Sequence, residues 1–415
     1  MSKIAVLGYG VVGSGTVELF YKNKERIEGK AGKKLDIKYI LDIRDFPFSP
    51  YADKFVKDIN VIINDDEVEI VAEVMGGLHP AYEFVRSCLE KGKSVVTSNK
   101  ELVAAKGYEL LTVAKENNCN FYFEASVGGG IPIIRPLHQC LAANEISEIA
   151  GILNGTTNFI LTKMIEDQMS FEDALAMAQS LGYAEKDPTA DVEGHDACRK
   201  ICILASLAFG RHVYPDNVHT EGISSVTLED VEYAENWGGV VKLIGSAKKL
   251  TDGKILPMVR PAFIEKSSQL SAIDDVFNGI MVKGDAIDKV LFYGRGAGKM
   301  PTASAVVADI IDAAKANGTS SSQTWEDGRD VDFIEDFKQD ETSMYVRINC
   351  ANRDKALEEI NESFGDVKYL ARKNQDKNEL AFVTPSMKEC EIDKRLSDLC
   401  EKGIKVIGKI RVFDF

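Results

Sequence analysis

Short apolar runs punctuate the first 125 residues at 4–7, 37–43, 70–75, 94–97 and 120–123, and the stretches 80–91 and 101–117 carry apolar residues at helical spacing. The runs are continuous rather than alternating, the pattern of strands covered on both faces. Strand and helix patterns in turn predict βα units wound on a parallel sheet. The pattern changes after Glu124. A Gly-rich turn, Gly128-Gly129-Gly130-Ile131-Pro132, leads into a helical pattern at 133–143, and Ser170 stands three residues before Asp173, the spacing of a helix cap. Residues 198–210 are apolar all round and read as a buried helix. The runs 240–250 and 255–264, joined by Thr251-Asp252-Gly253-Lys254, read as a β-hairpin. A second domain of mixed sheet and helices is therefore expected. Polar residues from 317 mark a linker, and beyond it strand-like 344–350, helix-like 355–364, strand-like 379–383, helix-like 392–402 and strand-like 404–413 make a small α+β module.

Composition narrows what such a chain can serve. A length of 415 residues predicts two or three domains. The formal net charge of -15 argues against nucleic acid, whose phosphates need a basic surface. No apolar run is long enough for a bilayer, and the start reads directly into a strand without a signal-peptide pattern. The eight cysteines fall in no metal-ligand spacing; Cys198 and Cys202 share a helix face but read as packing. The expectation is a cytoplasmic protein with a small-molecule partner, without nucleic acid or membrane.

Three stretches carry chemistry. Gly8-Tyr9-Gly10-Val11-Val12-Gly13 follows the first strand and opens a helix, the setting in which glycines turn the chain tightly and bring backbone up to a pyrophosphate. The free amides at that helix start then favour the phosphates of a dinucleotide. The second strand ends in Asp42 and Arg44; an acid suits the ribose of NAD, an arginine the extra phosphate of NADP, so both remain open with a lean to NADP. Thr97-Ser98-Asn99-Lys100 stands at a carboxyl end of the sheet, where ligands bind in this architecture. Further on, Asp196 and Lys200 lie one helical turn apart at the head of the apolar helix. A partly buried lysine there has a lowered pKa, suited to trading a proton with an alkoxide. Its neighbour His195 reads as a cap or surface residue. Gly294–Gly298 is another phosphate-friendly turn before a helical run.

With Asn154-Gly155-Thr156-Thr157-Asn158 upstream, the stretch 178–200 resembles the signature of homoserine dehydrogenases, and the resemblance runs from Gly8 to Gly298. Val74-Met75-Gly76-Gly77, Asn99-Lys100 and the segment 124–132 match it in order. It implies NAD(P)H-dependent reduction of L-aspartate 4-semialdehyde to L-homoserine, with Lys200 as general acid/base and Asp196 orienting it. Glu185 would bind the substrate ammonium, Asp191 the substrate, Lys100 would stand between nicotinamide and substrate, and Asn154 and Thr156 would line the pocket. The coenzyme would lie on Gly8, Gly10, Val11, Val12, Gly13, Arg44, Thr97, Ser98, Lys100 and Gly298. A sodium ion is implied on the carbonyls of Glu124, Val127, Gly129 and Ile131.

The expected organisation is α/β: a Rossmann domain over 1–130, completed by a helix at 301–317, a catalytic and dimerisation α+β domain over 131–316, and a linker over 317–340. A C-terminal module over 341–415 has the βαββαβ order and resembles an ACT domain, in a homodimer or homotetramer. Its turn at Asn352-Arg353-Asp354-Lys355 lacks the Pro and Gly of the family. Two rivals stand beside this reading. One is another Rossmann oxidoreductase of an amino-acid aldehyde, disfavoured by Glu185, whose charge suits an ammonium. The other is a non-catalytic nucleotide and amino-acid sensor, disfavoured by the intact Asp196 and Lys200.

Overall fold

The computed structural model describes residues 2–316, 318 and 324–415. A six-stranded parallel sheet forms from the N-terminal third, in the order Phe55–Val56, Leu35–Leu41, Ser2–Leu7, Val68–Glu73, Ser94–Thr97, Phe121–Tyr122. The order reverses beside the first strand, which opens a crevice at the carboxyl edge. Two strands end earlier than their apolar runs predict, at Leu41 and Glu73, for one shared reason. The Asp42 carboxylate accepts the N–H of Tyr9 and Arg44, and the Glu73 carboxylate that of Met75 and Gly76, so each acid turns its chain out of the ladder. Ile43, left beyond the turn, is exposed.

The helix Lys299–Lys315 returns from the middle of the chain and packs on Val11–Lys22. A Cβ on Gly15 would sit 2.8 Å from Lys299 Cγ, so this glycine sets how closely the two helices approach. Val306, Val307 and Ile310 join Ile4, Val17 and Phe20 in one apolar cluster.

The rest of the chain builds a ten-stranded sheet. Its centre is the expected hairpin, Gly239–Lys249 paired antiparallel with Ile255–Glu265. Ile146–Ile152, Phe277–Gly284 and Asp288–Arg295 extend it on one side. On the other side Lys405–Val412 pairs parallel with the hairpin and carries the C-terminal strands, so module and central domain share one sheet. The module shows the βαββαβ order, with helices Arg353–Phe364 and Glu389–Glu401. Asn352 caps the first of them through Lys355 N–H.

One expectation is narrowed. The helical pattern at 133–143 yields a shorter helical segment, 134–140, with a wide turn over Pro136–Cys140, and the Glu124 carboxylate caps its start through the amides of 133–135. Of the expected linker, 317 and 319–323 lie outside the described residues; 324–340 runs along both domains, with Trp325 buried on the Rossmann helix Lys100–Glu116, where a Cβ on Gly107 would meet its ring at 2.3 Å, and Glu326 and Ile334 bridging to Arg211 and Ile255. No helix among the described residues is long and apolar enough to cross a membrane.

Candidate active site

The helix His195–Phe209 starts at Gly194, whose φ of +80° turns the chain into the left-handed region open to glycine. Its length is apolar and buried, and only its first turns meet the crevice. Asp196 and Lys200 therefore sit at the one end of a buried element where charge can be used. Lys200 Nζ donates to Asp196 Oδ2 at 2.7 Å and to the Leu153 carbonyl at 2.7 Å. Lys100, from the Rossmann side, reaches Asp196 Oδ1 at 2.9 Å. Asn154 donates to both Asp191 (2.7 Å) and Asp196 (2.8 Å), while its carbonyl oxygen caps the helix Gly155–Glu166 through Thr157 N–H. Two cations, two carboxylates and one amide, drawn from four segments, thus converge at the boundary between the domains.

The electrostatics follow from burial. Desolvation pulls the Lys200 ammonium below its ordinary pKa against the pull of Asp196. Desolvation pushes Asp196 up, but Lys200 and Lys100 outweigh it and hold that carboxyl well below the usual range. Asp191 is raised by desolvation, with the Asp196 charge adding to it. Lys100 is raised by Asp196. The arrangement presents one fixed anion bridging a cation of depressed pKa and a second cation from the Rossmann side, which suits proton transfer at a polarised oxygen.

Thr156 donates to the Tyr183 carbonyl at 2.7 Å, tying the pocket helix to the loop that carries Glu185. The Glu185 side chain itself is exposed and stands outside the cluster. His195 is likewise exposed, and no side chain caps this helix, which leaves the surface role for it.

At the glycine turn after the first strand, Gly8 adopts φ +98°, and a Cβ on Gly13 would sit 2.0 Å from the Gly8 carbonyl oxygen. A Cβ on Gly10 would meet nothing within 4 Å, so the turn keeps an open face. No side chain caps the helix at Gly10, which leaves its first amides free for an anion. Val11 is exposed and Val12 half-buried beside them. Asp42 accepts Tyr9 N–H at 2.8 Å and holds Arg44 in a two-pronged pair at 2.9 and 2.8 Å. Both specificity candidates thus stand at the same corner.

Glu73 was not legible as a site residue. It is fully buried, accepts the Thr97 hydroxyl at 2.5 Å as well as two amides of the 74–77 loop, and so joins the two segments flanking Lys100. Ser98 N–H bonds the Glu73 carbonyl, and Asn99 caps the helix that Lys100 opens. An acid ending a buried strand was the only signal. Gly298, at φ +129°, opens the helix Lys299–Lys315. The Gly-rich turn presses on the loop before it, since a Cβ on Gly129 would lie 2.5 Å from the Gly296 carbonyl oxygen. Glu124, Val127, Gly129 and Ile131 are buried on that turn.

Comparison with known proteins agrees with this geometry. The family model for homoserine dehydrogenase matches residues 132–311, and that for the homoserine dehydrogenase NAD binding domain matches 8–124. The homoserine dehydrogenase of Bacillus subtilis is 43% identical over 314 residues, 74% of this chain and 72% of that protein. That of Corynebacterium glutamicum is 37% identical over 419 residues, covering 98% and 94%. The solved homoserine dehydrogenase of Thiobacillus denitrificans superposes with a TM-score of 0.89 at 34% identity, over 100% of this chain and 98% of that one. A hyperthermophilic archaeal homoserine dehydrogenase in complex with NADPH matches 76% of this chain and 99% of its own at a TM-score of 0.66 and 30% identity. With its glycine turn, its paired lysines on Asp196 and matches spanning both domains, the chain belongs to the homoserine dehydrogenase family.

Proposed function

We propose that Lys200 moves the proton in the interconversion of L-aspartate 4-semialdehyde and L-homoserine, carried by one observation: its buried ammonium is held on Asp196 and the Leu153 carbonyl. The bound coenzyme, NAD or NADP, supplies or takes the hydride. In reduction Lys200 donates to the oxygen that gains charge; in oxidation its neutral amine accepts the hydroxyl proton. Asp196 fixes the direction of both lysines, and Lys100 places a second cation between substrate and coenzyme. Asp191, turned by Asn154 toward the same space, binds the substrate, and Thr156 holds the pocket wall. The experiment is the pH dependence of kcat in both directions. Because desolvation pulls the Lys200 pKa below its ordinary value of 10.5, aldehyde reduction is steady at lower pH and falls as pH rises through that lowered pKa. Homoserine oxidation rises over the same window. Parallel profiles in the two directions would exclude the assignment.

Glu185 pairs with the substrate ammonium when substrate is bound. Its exposure in the free chain discounts the effect to about tenfold, roughly 1.4 kcal/mol, expected as a rise in KM for Glu185→Ala with kcat nearly kept. An unchanged KM would remove Glu185 from the site.

The coenzyme lies along Gly8, Gly10, Val11, Val12 and Gly13, reaches Thr97, Ser98 and Lys100, and touches the turn at Gly298. Arg44 receives the extra phosphate of NADP by leaving Asp42, and Asp42 receives the ribose of NAD; both coenzymes serve, NADPH the better. Arg44→Ala then raises Kd for NADPH about tenfold and leaves NADH within about twofold. Equal changes for both would show that Arg44 stays on Asp42.

A sodium ion fits the carbonyls of Glu124, Val127, Gly129 and Ile131. Their segment is buried, and the Glu124 carboxylate is committed to three backbone amides, so carbonyls form the donor set there. The helix Lys299–Lys315 completes the Rossmann domain, and the C-terminal module is ACT-like. The enzyme works as a cytoplasmic homodimer or homotetramer.

A further inference from the structure

The tail of the catalytic helix is fastened back onto the Rossmann domain. Gly210 ends the helix His195–Phe209 in the left-handed region at φ +78°, with its N–H on the Ser206 carbonyl. The Ser206 hydroxyl accepts Val213 N–H at 2.9 Å, which ties the turn carrying His212 to the end of that helix. His212 is fully buried, and its ring meets the helix Lys100–Glu116. Nε2 lies 2.9 Å from the Ala104 carbonyl, and Tyr108 N–H donates to Nδ1 at 3.4 Å. A carbonyl only accepts, so Nε2 carries the proton and the ring is neutral; burial pushes its pKa down to about 4. Ala104 and Tyr108 are the two ends of one helical rung, which begins one turn beyond Lys100.

The segment 324–332 locks this contact from behind. His212 N–H donates to the Glu326 carbonyl, and Glu326 N–H to the Gly210 carbonyl. Arg211 donates to the carbonyls of Asp327 and Asp330, and a Cβ on Gly328 would lie 1.6 Å from the His212 carbonyl oxygen. The Trp325 ring stands 5.0 Å from the His212 ring and fills the notch at Gly107, on the same rung. The two helices are thus joined at their heads, where Lys100 reaches Asp196, and again at the His212 ring. Arg199 also approaches Glu101 at 3.5 Å, but that pair is part-exposed and holds little.

We propose that His212 is a positioning residue for the reaction: backed by Trp325, its ring fixes the helix that Lys100 opens against the helix that carries Asp196 and Lys200, and so sets the spacing of the two ammonium groups. This rests on the roles given above to the two lysines. Without the ring, the helix Lys100–Glu116 shifts on its apolar face and Lys100 draws away from Asp196. Lys200 faces Asp196 and Asp191, which favour its ammonium, and Lys100, which opposes it. With Lys100 withdrawn, Lys200 loses a like charge and has Asp196 to itself, so it keeps its proton to higher pH. The rate falls as well, since a displacement of about 1 Å at a reacting group costs up to about a hundredfold.

Kinetics of aldehyde reduction across pH, with coenzyme Kd from fluorescence titration, test this on the full chain. His212→Leu lowers kcat about tenfold, leaves coenzyme Kd within about twofold, and moves the falling limb of the kcat profile to higher pH. His212→Gln, which offers an N–H and a carbonyl oxygen to the same rung, keeps kcat within about threefold of the parent enzyme. In a Lys100→Met background His212→Leu has no further effect on kcat, because the ring acts through that lysine. Gly107→Ala gives a second route should His212→Leu fail to fold. Alanine is the better helix former, so the helix stays intact while the new Cβ displaces Trp325, and the limb moves the same way. Any of four results would overturn the proposal: full kcat in both His212→Leu and Gly107→Ala; a lower kcat with the limb unmoved in both, which leaves His212 a structural role alone; equal losses in His212→Gln and His212→Leu; or losses that multiply with Lys100→Met. A parent enzyme without the falling limb would refute the role of Lys200, and the Lys100→Met cycle would then still decide for or against His212.

Discussion

Lys200→Ala is expected to lower kcat about a hundredfold or more while the Kd for coenzyme stays within about twofold. The ammonium sits on Asp196 and the Leu153 carbonyl and touches nothing in the glycine turn. Removing it takes away the proton donor without disturbing the phosphate cradle. Asp196→Ala lowers kcat by a similar factor, because both lysines lose their anchor at once. The double variant should be little worse than either single one, as groups acting as a unit are not additive. Steady-state kinetics with coenzyme titration checks both parts. A Lys200→Ala enzyme that keeps most of its kcat, or singles whose effects multiply, would remove the lysine from the chemistry.

Gly13→Ala is expected to weaken both NADH and NADPH by about a hundredfold, about 2.7 kcal/mol. The new Cβ would lie 2.0 Å from the Gly8 carbonyl oxygen, where no side-chain rotation relieves it, so the turn and the helix must part. Parting them moves the free amides at Val11 and Val12 away from the phosphates, a loss common to both coenzymes. It therefore differs from Arg44→Ala, which separates them. Fluorescence titration of each coenzyme reads the result, with circular dichroism to confirm the fold. Near-normal binding of both would mean that this turn does not carry the pyrophosphate.

Sequence alone determined the elements whose apolar pattern has one reading. The parallel strands at Ser2–Leu7 and Ser94–Thr97 are buried on both faces, and a continuous apolar run admits little else. The hairpin and the cap at Ser170 are local, set by turn and capping chemistry within a few residues. The reactive pair was legible for the same reason, since Asp196 and Lys200 lie one turn apart at the head of an apolar helix. Tertiary structure decided whatever depends on partners distant in sequence. Glu73 and Asp42 turn their chains out through amides two or three residues on, while the other segments that hold each carboxylate, at Thr97 and Tyr9, meet it only in the folded chain. Lys100 joins Asp196 only because the Rossmann edge is folded against the catalytic helix. The start of the helical pattern at 133–143 is fixed by Glu124, whose carboxylate caps the amides of 133–135. The merging of the C-terminal strands with the central sheet rests on the pairing of Lys405–Val412 with a strand about 150 residues earlier. Periodicity records which face of an element is buried, and it is silent on which other element buries it.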